Sequence, residues 1–121
     1  MANTFKVVTF AAEPASAGTA YKMYTVAGST TTVVLGLILT NIHSSAVTAE
    51  VELVSDTGSR GGANNVTNGT SFLVKDVNIP AGSSLEVLTG GKGVLETTDY
   101  LNIDCSVADK LSGTLSIMEI T

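Results

Sequence analysis

The segment Thr31-Thr32-Val33-Val34-Leu35-Gly36-Leu37-Ile38-Leu39-Thr40-Asn41-Ile42 holds the longest apolar run of the chain, and it must be either a helix or a strand. The β-branched residues at 30–34 lose side-chain freedom against the preceding turn of a helix, so the segment reads as a strand. No polar side chain interrupts Val33 to Leu39. Such a run predicts a strand buried on both faces, or one that extends into a partner subunit. Gly36 in its middle predicts a bulge or a close backbone approach. The run is also far shorter than the ~20 apolar residues of a membrane-spanning helix.

Further along the chain the pattern changes to strict alternation. Val47, Ala49, Val51 and Leu53 oppose Thr48, Glu50 and Glu52, which predicts one buried and one wet face. Leu101, Ile103 and Cys105 oppose Tyr100, Asn102, Asp104 and Ser106 in the same way. Strands are expected over residues 4–10, 21–26, 31–42, 47–54, 71–77, 83–88, 94–96, 100–106 and 113–120. Pro80-Ala81-Gly82-Ser83 is a turn, residues 89–93 (TGGKG) a flexible hairpin or loop, and residues 56–70 (DTGSRGGANNVTNGT) a long exposed loop that includes Asp56, Arg60, Asn65 and Asn68. The expected fold is all-β, a single β-sandwich of eight to nine short strands. Its kind is jelly-roll or immunoglobulin-like, a choice that strand spacing leaves open. Residues 11–19 (AAEPASAGT) read as a small-residue linker. This divides the chain into an N-terminal arm or edge strand with its linker, residues 1–19, and a sandwich over residues 20–121.

Composition narrows the function. The chain has 121 residues, 44% hydrophobic and only 14% charged, with a formal net charge of −5. Six Lys and Arg are scattered, so the clustered cations that displace phosphate counterions are missing and nucleic acid is not an expected partner. Met1-Ala2-Asn3-Thr4 lacks the basic start of a signal peptide and no apolar h-region follows it, so the expected product is made in a cytoplasm with no membrane partner.

Chemistry-bearing motifs are weak. Asp56-Thr57-Gly58-Ser59 matches the short string of aspartic proteases, which pair two such carboxylates. Ser55 stands where that motif has an apolar residue, however, and a hairpin start in a polar loop accounts for the Asp and Gly. His43 is the only His and Cys105 the only Cys. His43-Ser44-Ser45 reads as a turn and Cys105 as a small core hydrophobe, with no catalytic or metal set around either. Gly93 stands where a phosphate loop needs Ser or Thr after Lys92. Asp99, Asp104 and Asp109 lack calcium-loop spacing and are expected to solvate strand ends. Tyr21 and Tyr24, three apart, are expected on opposite faces of a regular strand, and so form no platform for a carbohydrate. No enzyme, cofactor or metal is expected.

Several stretches carry a resemblance. They are Gly36-Leu37-Ile38-Leu39-Thr40-Asn41, the 48–54 strand, and Val74-Lys75-Asp76-Val77-Asn78-Ile79-Pro80-Ala81-Gly82-Ser83-Ser84-Leu85. Lys92-Gly93-Val94-Leu95-Glu96, Asp99-Tyr100-Leu101 and the closing 115–120 strand complete the set. Together they resemble small virion structural proteins of tailed bacteriophages, notably of marine and cyanobacterial hosts, over most of residues 31–121. The resemblance implies a non-enzymatic virion component, made in the host bacterial cytoplasm. First in order is a capsid decoration (cement) protein that bridges major capsid subunits, a homo-oligomer and often a trimer. A tail, neck or baseplate component is the alternative, and a stand-alone small-molecule or carbohydrate-binding β-module a further one. Such proteins work through surfaces. The candidate interface residues are Phe5, Val7 and Phe10 in the N-terminal segment and Val33, Leu35, Leu37 and Leu39 in the apolar strand.

Overall fold

Every alternating or apolar stretch becomes a strand in the computed structural model, which describes residues 2–55, 69–88 and 93–121. The strands are β1 (Asn3–Glu13), β2 (Tyr21–Thr25), β3 (Thr31–Asn41), β4 (Val47–Ser55), β5 (Gly69–Ile79), β6 (Ser84–Glu86), β7 (Gly93–Leu95), β8 (Tyr100–Cys105) and β9 (Leu111–Ile120). They form two antiparallel sheets. One runs β1-β9-β3-β6, with β7 also on β3, and the other runs β2-β8-β4-β5. The loop residues Asp56, Arg60, Asn65 and Asn68, the DTGS string, and residues 89–92 lie outside the described residues, whereas Gly69 and Thr70 open β5.

The pairing decides between the two sandwich topologies. β1 pairs with β9, β2 with β8, β3 with β6 and β7, and β4 with β5, like the nested rungs of one long hairpin. Rolling that ribbon brings β9 beside β3 and β8 beside β4. This is the jelly-roll order, with its sixth strand split into β6 and β7.

The core lies between the sheets. Leu37, Leu39, Leu95, Leu111, Leu115 and Ile117 from the β1 sheet meet Val47, Ala49, Val51, Ile79, Leu101 and Ile103 from the β2 sheet, all at most 2% exposed. Each fully buried Leu or Ile contributes about 1.5–3 kcal/mol relative to an exposed one. Cys105 joins this core at 3% exposure.

Two expectations about β3 and β1 change. The β3 strand is not buried on both faces. Its register shifts between Val34 and Gly36, so Val34, Leu37 and Leu39 all face the core while Ile38 is exposed. The bulge at Gly36 therefore converts a run with no polar face into a strand with one inner and one outer face. The N-terminal segment is an edge strand of its own sheet, and it continues through Ala11, Ala12 and Glu13, which the composition assigned to a linker.

The sandwich ends are closed by loop-to-loop bonds. At one end Val26 N donates to Asp99 O and Thr98 N to Val26 O. Asp99 does not solvate a strand end: it is buried, and its Oδ2 accepts the Glu96 amide at 3.0 Å. At the other end the Pro80–Ser83 turn closes with Ser83 N donating to Pro80 O, Gly82 taking a positive φ of 70°. Asn41, fully buried, sits beneath it. Its Nδ2 donates to Ser45 O and Ile79 O, both at 2.9 Å, and its Oδ1 accepts the His43 amide at 2.8 Å.

Candidate interface

Cross-strand partners share a face of a sheet, so register identifies the outer surface. In the β1 sheet, Lys6 opposes buried Ile117 and Val8 opposes buried Leu115, which places them on the inner side. The intervening positions point outward. Phe5 opposes Met118, Met118 opposes Val33, and Val33 opposes Val94. These four side chains make an unbroken apolar row across β1, β9, β3 and β7. Phe5 is 71% exposed and Val94 60%. Val7 at 63% exposure extends the row along β1, and Ile120 and Ile38 flank it on β9 and β3. Among the described residues, Glu86, opposite Ile38, is the one charged residue at the paired outer positions of this sheet.

The outer face of the β2 sheet has the opposite character. It carries Lys22, Glu50, Glu52, Asn102 and Asp104 at the positions between the core residues. Lys22 lies over the Tyr100 ring at 4.0 Å, and Lys75 pairs with Glu50 at 2.7 Å and lies 4.6 Å from the Phe72 ring centroid. The hydrogen bond that Lys75 donates to Glu50 raises its pKa, with Asp76 adding a smaller push in the same direction. A shallow, open recess of about 170 Å³ on this face is lined by Thr48, Glu50, Asp76, Asp104 and their neighbours. Asp104 Oδ1 is already engaged by the amides of Gly18 and Cys105. Among the described residues no group of three or more His, Cys, Asp or Glu is placed to hold a metal.

One polar network centred on Glu119 of β9 ties the sheets together. Tyr24 OH donates to Glu119 Oε2 at 2.6 Å, and Thr32 Oγ1 lies 2.8 Å from the same hydroxyl. Lys6 Nζ pairs with Glu119 Oε1 at 2.7 Å. Burial pushes the Tyr24 phenol up to about 12, reinforced by the Glu119 carboxylate. The hydrogen bonds from Lys6, then Tyr24, hold Glu119 below its ordinary value.

The seven candidate residues divide. Phe5 and Val7 stand on the exposed face, Val33 lies half-buried in the row, and Leu35 is half-buried in the bulge. Phe10, Leu37 and Leu39 point inward and belong to the core. Phe10 stacks edge-on to Tyr21 at 5.3 Å and covers Gly113, whose missing Cβ leaves room for the ring. Sequence reading missed Val94, Met118 and Ile120, because short or terminal strands give no sign of which face they present until their partners are known. Tyr21 and Tyr24 also differ from expectation. A bulge between Lys22 and Tyr24 turns both toward the inner side, opposite Ile103 and Leu101. His43 occupies the β3–β4 turn, as expected.

No protein-family model, curated protein sequence or solved structure matches the chain.

Proposed function

We propose that this chain is a non-enzymatic structural component of a tailed-phage virion, and within it a capsid decoration protein that stabilises the head by subunit contacts. The apolar row Phe5–Met118–Val33–Val94 carries the reading. An exposed stripe of that kind, rimmed by Thr and Ser, is a docking surface rather than a reaction site. The partners are the major capsid protein or other virion proteins, together with further copies of this chain. The jelly roll is a fold of viral capsid proteins, and of lectins and cupins as well, so it supports the reading only by analogy.

A tail, neck or baseplate component would use the same surface in a ring. Copy number separates the two. Quantitative mass spectrometry of purified particles should find the chain in hundreds of copies for a decoration protein, and in a few to tens for a neck or baseplate part. Particles with no stoichiometric copy would end the virion reading altogether.

A further inference from the structure

We propose that β1 pairs edge to edge with β1 of a second copy about a two-fold axis, joining the two β1 sheets into one continuous sheet. The inference goes beyond the virion reading and does not depend on it.

Among the described residues β1 pairs only with β9, so its other edge presents unpaired backbone. Ala2 and Thr121 exchange both of their amide bonds, at 3.1 and 2.9 Å. Narrow pairs alternate along an antiparallel ladder, so Thr4, Lys6 and Val8 also direct their amides and carbonyls to β9. Asn3, Phe5, Val7 and Thr9 direct theirs away from it, into solvent. Buried backbone polar groups are almost always paired, and an edge that shows a row of them invites another strand.

The other edges are blunted, and β1 is not. β2 is five residues long and bulged between Lys22 and Tyr24. β5 shifts register twice against β4 and bears exposed Lys75 and Asp76, the latter at a φ of 50°. β6 and β7 have three residues each. β1 runs eleven residues with no register shift from Asn3 to Phe10, and its exposed outward side chains are apolar at Phe5 and Val7. Lys6 is the single charge before Glu13, and Glu119 of the same chain neutralises it.

Self-pairing fits this strand better than a foreign strand because its register solves itself. With Phe5 opposite Phe5 of the second copy, Val7 meets Asn3 and Lys6 meets Thr4. No lysine faces a lysine, and the irregular stretch after Phe10 stays outside the ladder. The apolar row of one copy then continues across the axis into the row of the other, doubling its length. A two-fold axis is also the commonest symmetry of soluble oligomers.

Sedimentation equilibrium on the purified full chain tests this. The wild type should move with rising concentration from 12.3 kDa to twice that mass. Val7→Pro removes an amide that β9 does not use, so it should keep the thermal midpoint of the dilute monomer and weaken dimerisation at least tenfold. Phe5→Lys, at a highly exposed site, should do the same by setting two ammonium groups across the axis. Val94→Lys, on the face but away from the edge, should leave the dimer intact. Hydrogen exchange reads the bond itself: the Phe5 and Val7 amides should be protected at dimer concentrations and exchange freely on dilution. A chain that stays monomeric throughout, a dimer whose Phe5 and Val7 amides exchange freely, or a dimer lost in Val94→Lys but kept in Phe5→Lys would overturn the proposal.

Discussion

At the scale of single residues, the strongest demands come from side chains that are not apolar. Asn41 holds two carbonyls and one amide with one side chain, and only Nδ2 toward Ser45 and Ile79 with Oδ1 toward His43 satisfies all three. Asn41→Ala orphans these groups in the core, and urea denaturation should show a loss of about 2–4 kcal/mol. Gly113 makes the reverse demand, for the absence of atoms. A Cβ there would meet the Phe10 ring, which is itself held edge-on by Tyr21. Gly113→Ala should therefore destabilise by about 1–3 kcal/mol through overpacking. The compensating variant Gly113→Ala with Phe10→Leu should recover part of that loss in the same measurement. Neither role was legible in sequence, since an Asn at a strand end and a Gly between Ser112 and Thr114 are ordinary until their partners across the fold are known.

Single elements are held by their neighbours as much as by their own pattern. β2 is short, bulged and half polar, and it stays in place through Tyr24, which reaches Thr32 on β3 and Glu119 on β9. The phenol titrates near 10 when unfolded and at about 12 when folded, so the folded chain keeps a proton that the unfolded chain releases in that window. The stabilisation is complete below pH 10 and is lost as pH rises toward about 12. Tyr24→Phe should lower stability at neutral pH by about 1 kcal/mol and flatten this alkaline decline in a pH series of thermal melts. On the acid side Glu119 acts in the opposite sense. Its lowered pKa gives stability that is present above the ordinary carboxylate range and is lost as pH falls through the folded value. Strand existence was readable along the whole chain from alternation and turn residues. The length of β1 was not, because Ala11, Ala12 and Glu13 have no strand pattern and follow β9 only because it is there to pair with.

The whole molecule is two-faced. The β1 sheet shows solvent an apolar stripe with one charge, and the β2 sheet shows carboxylates, lysines and amides. Exposed apolar patches on soluble proteins mark contact surfaces more often than chance, and a charged face keeps the opposite side free. The double variant Val33→Asp with Val94→Asp should fold, with circular dichroism unchanged. On the virion reading proposed above, it should fail to incorporate into particles when supplied in place of the wild type. Full incorporation of that variant would count against the stripe as the docking surface. Of the seven candidate interface residues, Phe5 and Val7 stand fully on the exposed face and Val33 and Leu35 partly, whereas Phe10, Leu37 and Leu39 serve the core. Apolar composition identifies what must leave water but is silent on whether the chain's own core or a neighbour removes it.

Local pattern in the chain was enough to establish an all-β fold, roughly where the nine strands of the described residues lie, and most of the turns between them. Those features depend on local sterics and on the two-residue period of a strand, which each segment carries within itself. The jelly-roll order, the inward turn of Tyr21 and Tyr24, and the single inner face of β3 came from long-range pairing instead. Each rests on register between residues far apart in the chain. A one-residue bulge at Gly36 or before Tyr24 reverses which side chains meet the core, and no local pattern records it.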